Sequence, residues 1–298
     1  MKPRIIAIYL PQFHPIPQND EFWGKGFTEW VNVAQARPLF KGHYQPQIPA
    51  DLGFYDLRHS DVREEQARLA KAAGIEGFMY WQYYFGNDQK LLEKPFEEVL
   101  ASGKPDYPFC LGWANHSWQT LTWKRDASRK EGKTMIMEQH YDGVKQYTDH
   151  FYYNLPAFKD HRYMCVDGKP IFVIWNPNDH PDEIKLMIST WNDLAIKHGF
   201  NGIHFVAQEM YKTSNSTLFN LGFNAIYQNK ILEAQAKHTS SFVWHLRHFL
   251  IKKLGFTFLL DKYDFDKISN DLVTDEAKKE NIYPTLLAGY DRTPRAAR

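Results

Sequence analysis

The stretch Ile5–Pro15, "IIAIYLPQFHP", decides the fold. Its first half is a short apolar, β-branched run that reads as a buried strand. Its second half is the turn that follows. In an open doubly wound sheet that binds a nucleotide, this first turn carries glycines, so that backbone amides can approach phosphate. "LPQFHP" has none, and the dinucleotide and phosphate-loop readings fall away. The turn opens instead into an aromatic loop, "YLPQFHPIPQNDEFWGKGFTEWVNV" from Tyr9 to Val33, rich in proline, amide and imidazole.

Further apolar runs follow at strand length: "GFMYWQYYF" (77–85), "PFCLGWAN" (108–115), "PIFVIW" (170–175), "GIHFVAQ" (202–208), "FNAIYQ" (223–228) and "IYPTLLAGY" (282–290). Helical patterns separate them at 61–74, about 92–102, 144–158, 182–199, near Leu218 and at 241–255. In the first of these, Asp61 is expected to cap the helix, Val62, Leu69 and Ala73 to share its packed face, and Gly74 to end it in a left-handed conformation. Strands alternating with helices imply βαβ units and a parallel sheet, and runs without apolar–polar alternation imply strands covered on both faces. The expected fold class is α/β, of the (β/α)8 TIM-barrel type. Seven strands are legible, whereas this barrel closes on eight. The chain therefore reads as one domain over 1–298, truncated before the eighth strand, with the first and seventh strands as open edges that invite association.

Composition excludes several function classes. Lys and Arg number 36 against 35 Asp and Glu, so the charge shows no nucleic-acid footprint. The two cysteines, Cys110 and Cys165, have no metal-ligand spacing and read as buried thiols. The N-terminal apolar run is too short for a signal peptide, and no run is long enough to span a membrane, so a cytoplasmic protein is expected. No motif implies a cofactor. Aromatic residues reach 16% of the chain, with nine Trp, which asks for a use beyond core filling.

In a barrel of this type the chemistry collects at the C-terminal strand ends. Those ends carry Tyr9, Gln12 and His14, with Trp30 further along the first loop; Trp81, Gln82 and Tyr83; Trp113, Asn115, His116 and Trp118; Trp175 and Asn176; Gln208 and Glu209; Tyr227; and Asp291. Aromatic faces beside planar hydrogen-bonding groups suit a pyranose, whose C–H face stacks while its hydroxyl rim bonds. The substrate-binding candidates are Tyr9, Gln12, His14, Trp30, Trp81, Tyr83, Trp113, Asn115, His116, Trp118 and Gln208, and the partner is a glycan. Glu209 and Glu29 are the candidate catalytic carboxylates. An ion pair with Lys212 is the structural alternative for Glu209, loop bracing that for Glu29, and capping of a turn that for Asp291. Two weaker patterns are a metal-binding Asp264-Phe265-Asp266 with Asp261, and the pair His245/His248. The segment 241–262 reads as a basic amphipathic helix, either packed on the barrel or weakly associated with a membrane surface.

The segments "YLPQFHPIPQNDEFWGKGFTEWVNVAQARPLFKGHYQP", "GFMYWQYYF", "LLEKPFEEVLASGKPDYPFCLGWANHSW" and "FKDHRYMCVDGKPIFVIW" resemble the glycosyltransferase WbsX family. That family is related to glycoside hydrolase family 99, the endo-α-mannosidase-like enzymes. The resemblance implies a (β/α)8 barrel acting on glycans in bacterial surface-polysaccharide synthesis. It also implies departures. Asn115-His116-Ser117-Trp118 stands where many members have Asn-Glu-Asn-Trp, and Gln82 stands where a histidine is common. The family's Asn-Glu-Trp-x-Glu-Gly segment, with its glutamate pair, does not occur in these 298 residues.

Overall fold

The computed structural model describes residues 3–119, 135–209, 213–254, 263–289, 291 and 293–296. Its centre is a parallel sheet of β1 (Ile6–Tyr9), β2 (Gly77–Gly86), β3 (Phe109–Trp113), β4 (Lys169–Ile174), β5 (His204–Gln208), β6 (Ala225–Gln228) and β7 (Ile282–Pro284). Each pairs with the next in chain order, giving a half-barrel with β1 and β7 at its two ends among the described residues. All seven strands fall within or beside the runs the sequence offers, although β7 ends at Pro284, short of the run expected to reach Tyr290. At the centre of the sheet the reason is burial on both faces: nine of the ten residues of β2 and all five of β3 are buried, and only apolar or aromatic runs tolerate that without a polar penalty. The end strand β1, expected to be buried, is so only at Tyr9, and Ile8 is 52% exposed.

Among the described residues the helices are α1 (Pro17–Trp23), α2 (Glu29–Gln35), α3 (Ser60–Ala72), α4 (Lys94–Ser102), α5 (Val144–Phe158), α6 (Pro181–Lys197), α7 (Asn215–Asn220), α8 (Ile231–Lys237), α9 (Ser241–Leu254), α10 (Phe265–Asn270) and α11 (Thr293–Ala296). The aromatic loop after β1 thus holds two helices that periodicity did not reveal. Pro17 opens α1 where its missing N–H costs nothing, and the Thr28 side chain accepts from Trp30 N at 3.2 Å to cap α2. Two expectations for α3 are corrected. It starts at Ser60 behind His59, with Asp61 inside its first turn rather than capping it, and its buried residues are Arg63, Ala67 and Ala70. Ala73 is exposed. Gly74 does take a left-handed conformation (φ 81°).

Strand register sorts side chains between two faces, because partners across a parallel ladder point the same way. Gln82, Trp113 and Ile174 align, as do Trp81, Gly112 and Val173. Gln82 donates to Asn154 Oδ1 of α5 at 2.7 Å, and its Oε1 lies 2.6 Å from His150 Nε2 of the same helix. The first set therefore faces the helices. The second set faces the open concave side. The helix side is an aromatic core around Trp191 of α6, fully buried, whose ring meets His150, Phe151 and Phe158 of α5, Phe172 of β4 and Phe205 of β5. Its Nε1 donates to Tyr147 O at 2.8 Å. On the concave side, Gly112 leaves room for its neighbours: a Cβ there would sit 2.4 Å from Met79 Sδ and 3.0 Å from Trp81 Cζ3.

Beyond β7 the chain crosses toward the β1 end. Gln45 donates to Asp291, and Arg295 of α11 reaches Glu29 of α2.

Candidate functional site

The concave face and the strand ends above it form a cleft floored by aromatic rings. Trp81 meets Trp175 edge-on, with ring centres 5.6 Å apart, and Trp175 lies 6.2 Å from His116. Two residues along β2, Tyr83 packs against Trp118 at 5.4 Å. Trp81 and Trp118 also flank one apolar cluster made by Ile16, Tyr83, Phe85, Leu91, Leu92 and Ala114. The floor thus runs from β1 to β4. Trp175 keeps 38% of its surface exposed, which leaves a ring face for a ligand.

Above the β1 and β2 ends the cleft deepens into a small, partly open pocket of about 30 Å³, lined by Gln12, Asn19, Trp23, Phe27, Glu29, Trp118, Gln119 and Ile136. Gln12 Nε2 donates to the Tyr83 hydroxyl at 3.2 Å, and Gln12 Oε1 accepts from Arg295 Nη2 at 3.1 Å. Glu29 is 4% exposed, and burial raises its pKa while Arg295 opposes the rise. Arg295 Nε donates to Glu29 Oε2 at 3.2 Å, and Nη2 reaches the other carboxylate oxygen.

At the β3 and β4 ends a polar brace holds the rim. Asn115, fully buried, donates through Nδ2 to Tyr141 Oη at 3.0 Å and to Asn176 O at 2.8 Å, and accepts from Asn176 N at 2.8 Å. Tyr141 Oη donates to Asp179 Oδ2 at 3.1 Å, and His180 Nδ1 lies 3.1 Å from Asp179 Oδ1. Burial pushes the Tyr141 pKa up, so it stays a phenol, and pushes that of His116 down, so its ring stays neutral near pH 7. A neutral imidazole beside Trp175 offers one donor and one acceptor.

The structure brings together Gln12, Trp81, Tyr83, His116 and Trp118 of the sequence candidates, and places Gln208 at the end of β5. Gln208 Oε1 accepts from the Tyr227 hydroxyl on the neighbouring strand. Four others sit elsewhere. Tyr9 faces the helices and donates to Gln66 Oε1 at 2.6 Å. Trp113 faces them too, 1% exposed, with Nε1 donating to Tyr84 O at 2.8 Å. Trp30 packs among Phe13, Phe54 and Tyr55 and donates to Tyr55 O at 2.7 Å. His14 is 1% exposed, and burial lowers its pKa. Asn115 is part of the brace, beneath the surface.

Both candidate carboxylates are engaged by cations. Glu209 lies 2.6 Å from Lys230 Nζ and accepts from Gln228 Nε2 at 3.2 Å, so its partner is a lysine twenty-one residues on; Lys212 lies outside the described residues. Asp291 caps the last helical turn, accepting from Thr293 N at 2.8 Å. Asp264 does the same for α10, accepting from Asp266 N at 3.0 Å; Asp261 and the His248 side chain lie outside the description. Sequence reasoning missed Tyr141, Asp179 and Arg295. Asp179 was within reach of it, three residues past Asn176 in the loop after β4.

The ion pair gives a first prediction. Arg295→Ala leaves the Glu29 carboxylate buried without that cation, and should cost about 1–2 kcal/mol, less than for a fully buried pair because Arg295 is 26% exposed. Adding Glu29→Gln should restore most of the loss in urea denaturation. A double variant as unstable as the single one would show that the pair is not the cause.

The family model described as Glycosyltransferase WbsX matches residues 5–298. The chain belongs to the glycosyltransferase WbsX family. A protein named WxcX from Xanthomonas campestris pv. campestris (strain B100) is 32% identical over 294 residues, which cover 98% of this chain and 39% of that protein. This WbsX chain therefore spans about two fifths of the length of the curated relatives it matches. Among solved structures, a GH99 endo-α-mannosidase from Bacteroides thetaiotaomicron gives a TM-score of 0.47 at 13% identity, covering 76% of this chain and 60% of that one. The same enzyme in complex with BIS-TRIS-propane gives 0.48 at 11% identity, covering 84% and 66%. Likenesses this slight do not bear on function.

Proposed function

We propose that residues 1–298 form one barrel-type domain that binds a glycan along the concave aromatic floor. In this reading the protein is a carbohydrate-active enzyme of bacterial surface-polysaccharide (O-antigen or capsule) biosynthesis, working in the cytoplasm by glycosidase-like cleavage or transfer. The observation that carries it is the pairing of Trp81 and Trp175 at the strand ends, with His116 and Asn176 beside them. A pyranose laid on Trp175 would place its hydroxyls among planar donors and acceptors, and the brace on Asn115 fixes those groups before the ligand arrives.

A second reading is a glycan-binding module without turnover. It is favoured by the ion pairs with Lys230 and Arg295, which occupy both Glu209 and Glu29. Nucleotide-sugar transfer through a metal at Asp264 is disfavoured, because that side chain is spent on a helix cap.

Affinity for an oligosaccharide panel, measured by calorimetry, tests the binding claim. Trp175→Ala should weaken binding by about 1–2 kcal/mol, roughly tenfold, with little change in stability. Trp113→Ala should act through folding instead. Unchanged affinity in a folded Trp175→Ala/Trp118→Ala variant would refute the floor as a ligand surface. Product analysis on any glycan that binds separates enzyme from module.

A further inference from the structure

Helix α9 is built unlike the helices that cover the sheet. α4, α5 and α6 each bury at least three side chains. None of the described side chains of α9 is buried. Instead it shows water Phe242 at 75% exposure, Phe249 at 54% and Leu246 at 47%. At 100° per residue these three and the exposed Lys253 fall within about 60° of one another around the helix axis. Val243, 40% exposed and about 60° around the axis from Leu246, widens the apolar surface, whereas Trp244 lies on the opposite side of the helix. A contiguous patch of this kind is unusual on a surface that meets only water.

Charge identifies what would cover it. Residues 241–260 contain no Asp or Glu, while Arg247, Lys252 and Lys253 are basic, in a chain whose formal total is +1. A second copy of the chain would bring these like charges together. No helix among the described residues is long and apolar enough to cross a membrane, so the relevant geometry is a helix lying flat. We propose that α9 docks on an anionic lipid surface, its Phe242–Leu246–Phe249 stripe entering the headgroup–acyl boundary while the basic residues meet lipid phosphates. This is independent of the glycan reading, since the helix and the aromatic floor share no residue.

The test is sedimentation of the protein with vesicles of phosphatidylcholine, alone or mixed with phosphatidylglycerol. Binding should be at least about tenfold stronger to the anionic vesicles and should weaken as salt rises from ~0.1 M to ~0.5 M. Phe242→Ser/Phe249→Ser should lower it about tenfold or more at an unchanged melting temperature, because both side chains are already exposed. Equal binding to neutral vesicles, or a folded double variant that binds like the parent, would overturn the proposal. So would a dimer, seen by sedimentation velocity without lipid, that the same double variant abolishes.

Discussion

Trp191→Ala is expected to lower stability by about 3–5 kcal/mol and to leave a chain near its folding limit. The ring is fully buried and joins two helices to two strands, meeting Phe172 at 4.6 Å and His150 at 5.1 Å. Truncation would open a cavity that neighbours on four elements cannot close together, and would leave the Tyr147 carbonyl without its donor. Urea denaturation followed by circular dichroism measures the loss. Trp191→Phe should recover part of it, because most of the apolar volume returns. A cost below about 1.5 kcal/mol for the alanine variant would mean the core around α5 and α6 repacks far more freely than close-packed interiors do.

The second large effect is acid sensitivity. His150 stacks on Tyr84 at 3.9 Å, lies beside Gln82, and is buried so completely that its pKa falls to about 3. The unfolded chain takes up a proton there near the ordinary value of 6.5, while the folded chain does not. The unfolded state therefore binds more protons across that interval. Stability is full above about pH 6.5 and is lost as pH falls toward 3, by up to roughly 1.4 kcal/mol per pH unit. His14, His116 and His204, whose pKa values burial also lowers, act in the same direction. Unfolding free energies measured between about pH 4 and pH 7 should rise with pH, and His150→Gln should reduce the slope by about one proton. A slope unaffected by that substitution would place the acid sensitivity elsewhere.

The central strands were legible because double burial writes an uninterrupted apolar run. The faces were not. Tyr9 and Trp113 end their strands as aromatics and read like rim residues, yet a strand's parity is fixed only by its neighbours. Trp113 aligns with Gln82, and Gln82 is turned to α5 by Asn154 and His150. That information lies seventy residues away in sequence. Trp81 and Trp118 came through because their own positions place them on the concave side. In the brace, Tyr141 stayed hidden because it comes from a loop whose local pattern announces no strand end, whereas Asp179 lies just past the strand end that the sequence did show. The carboxylates Glu29 and Glu209 were found, but their cations were not, since Arg295 and Lys230 reach them through tertiary packing.

Gly112 has a consequence for tuning the cleft. The middle of the floor is shaped by the absence of a side chain, and Met79 and Trp81 lean into the space so vacated. Position 112 thus acts as a shim beneath the Trp81 ring. A single methyl inserted there would meet Met79 Sδ at 2.4 Å and Trp81 Cζ3 at 3.0 Å, so those side chains would have to shift and the floor would change shape. Under the proposed glycan reading, the shape of the floor can thus be varied without changing the polar groups at its rim.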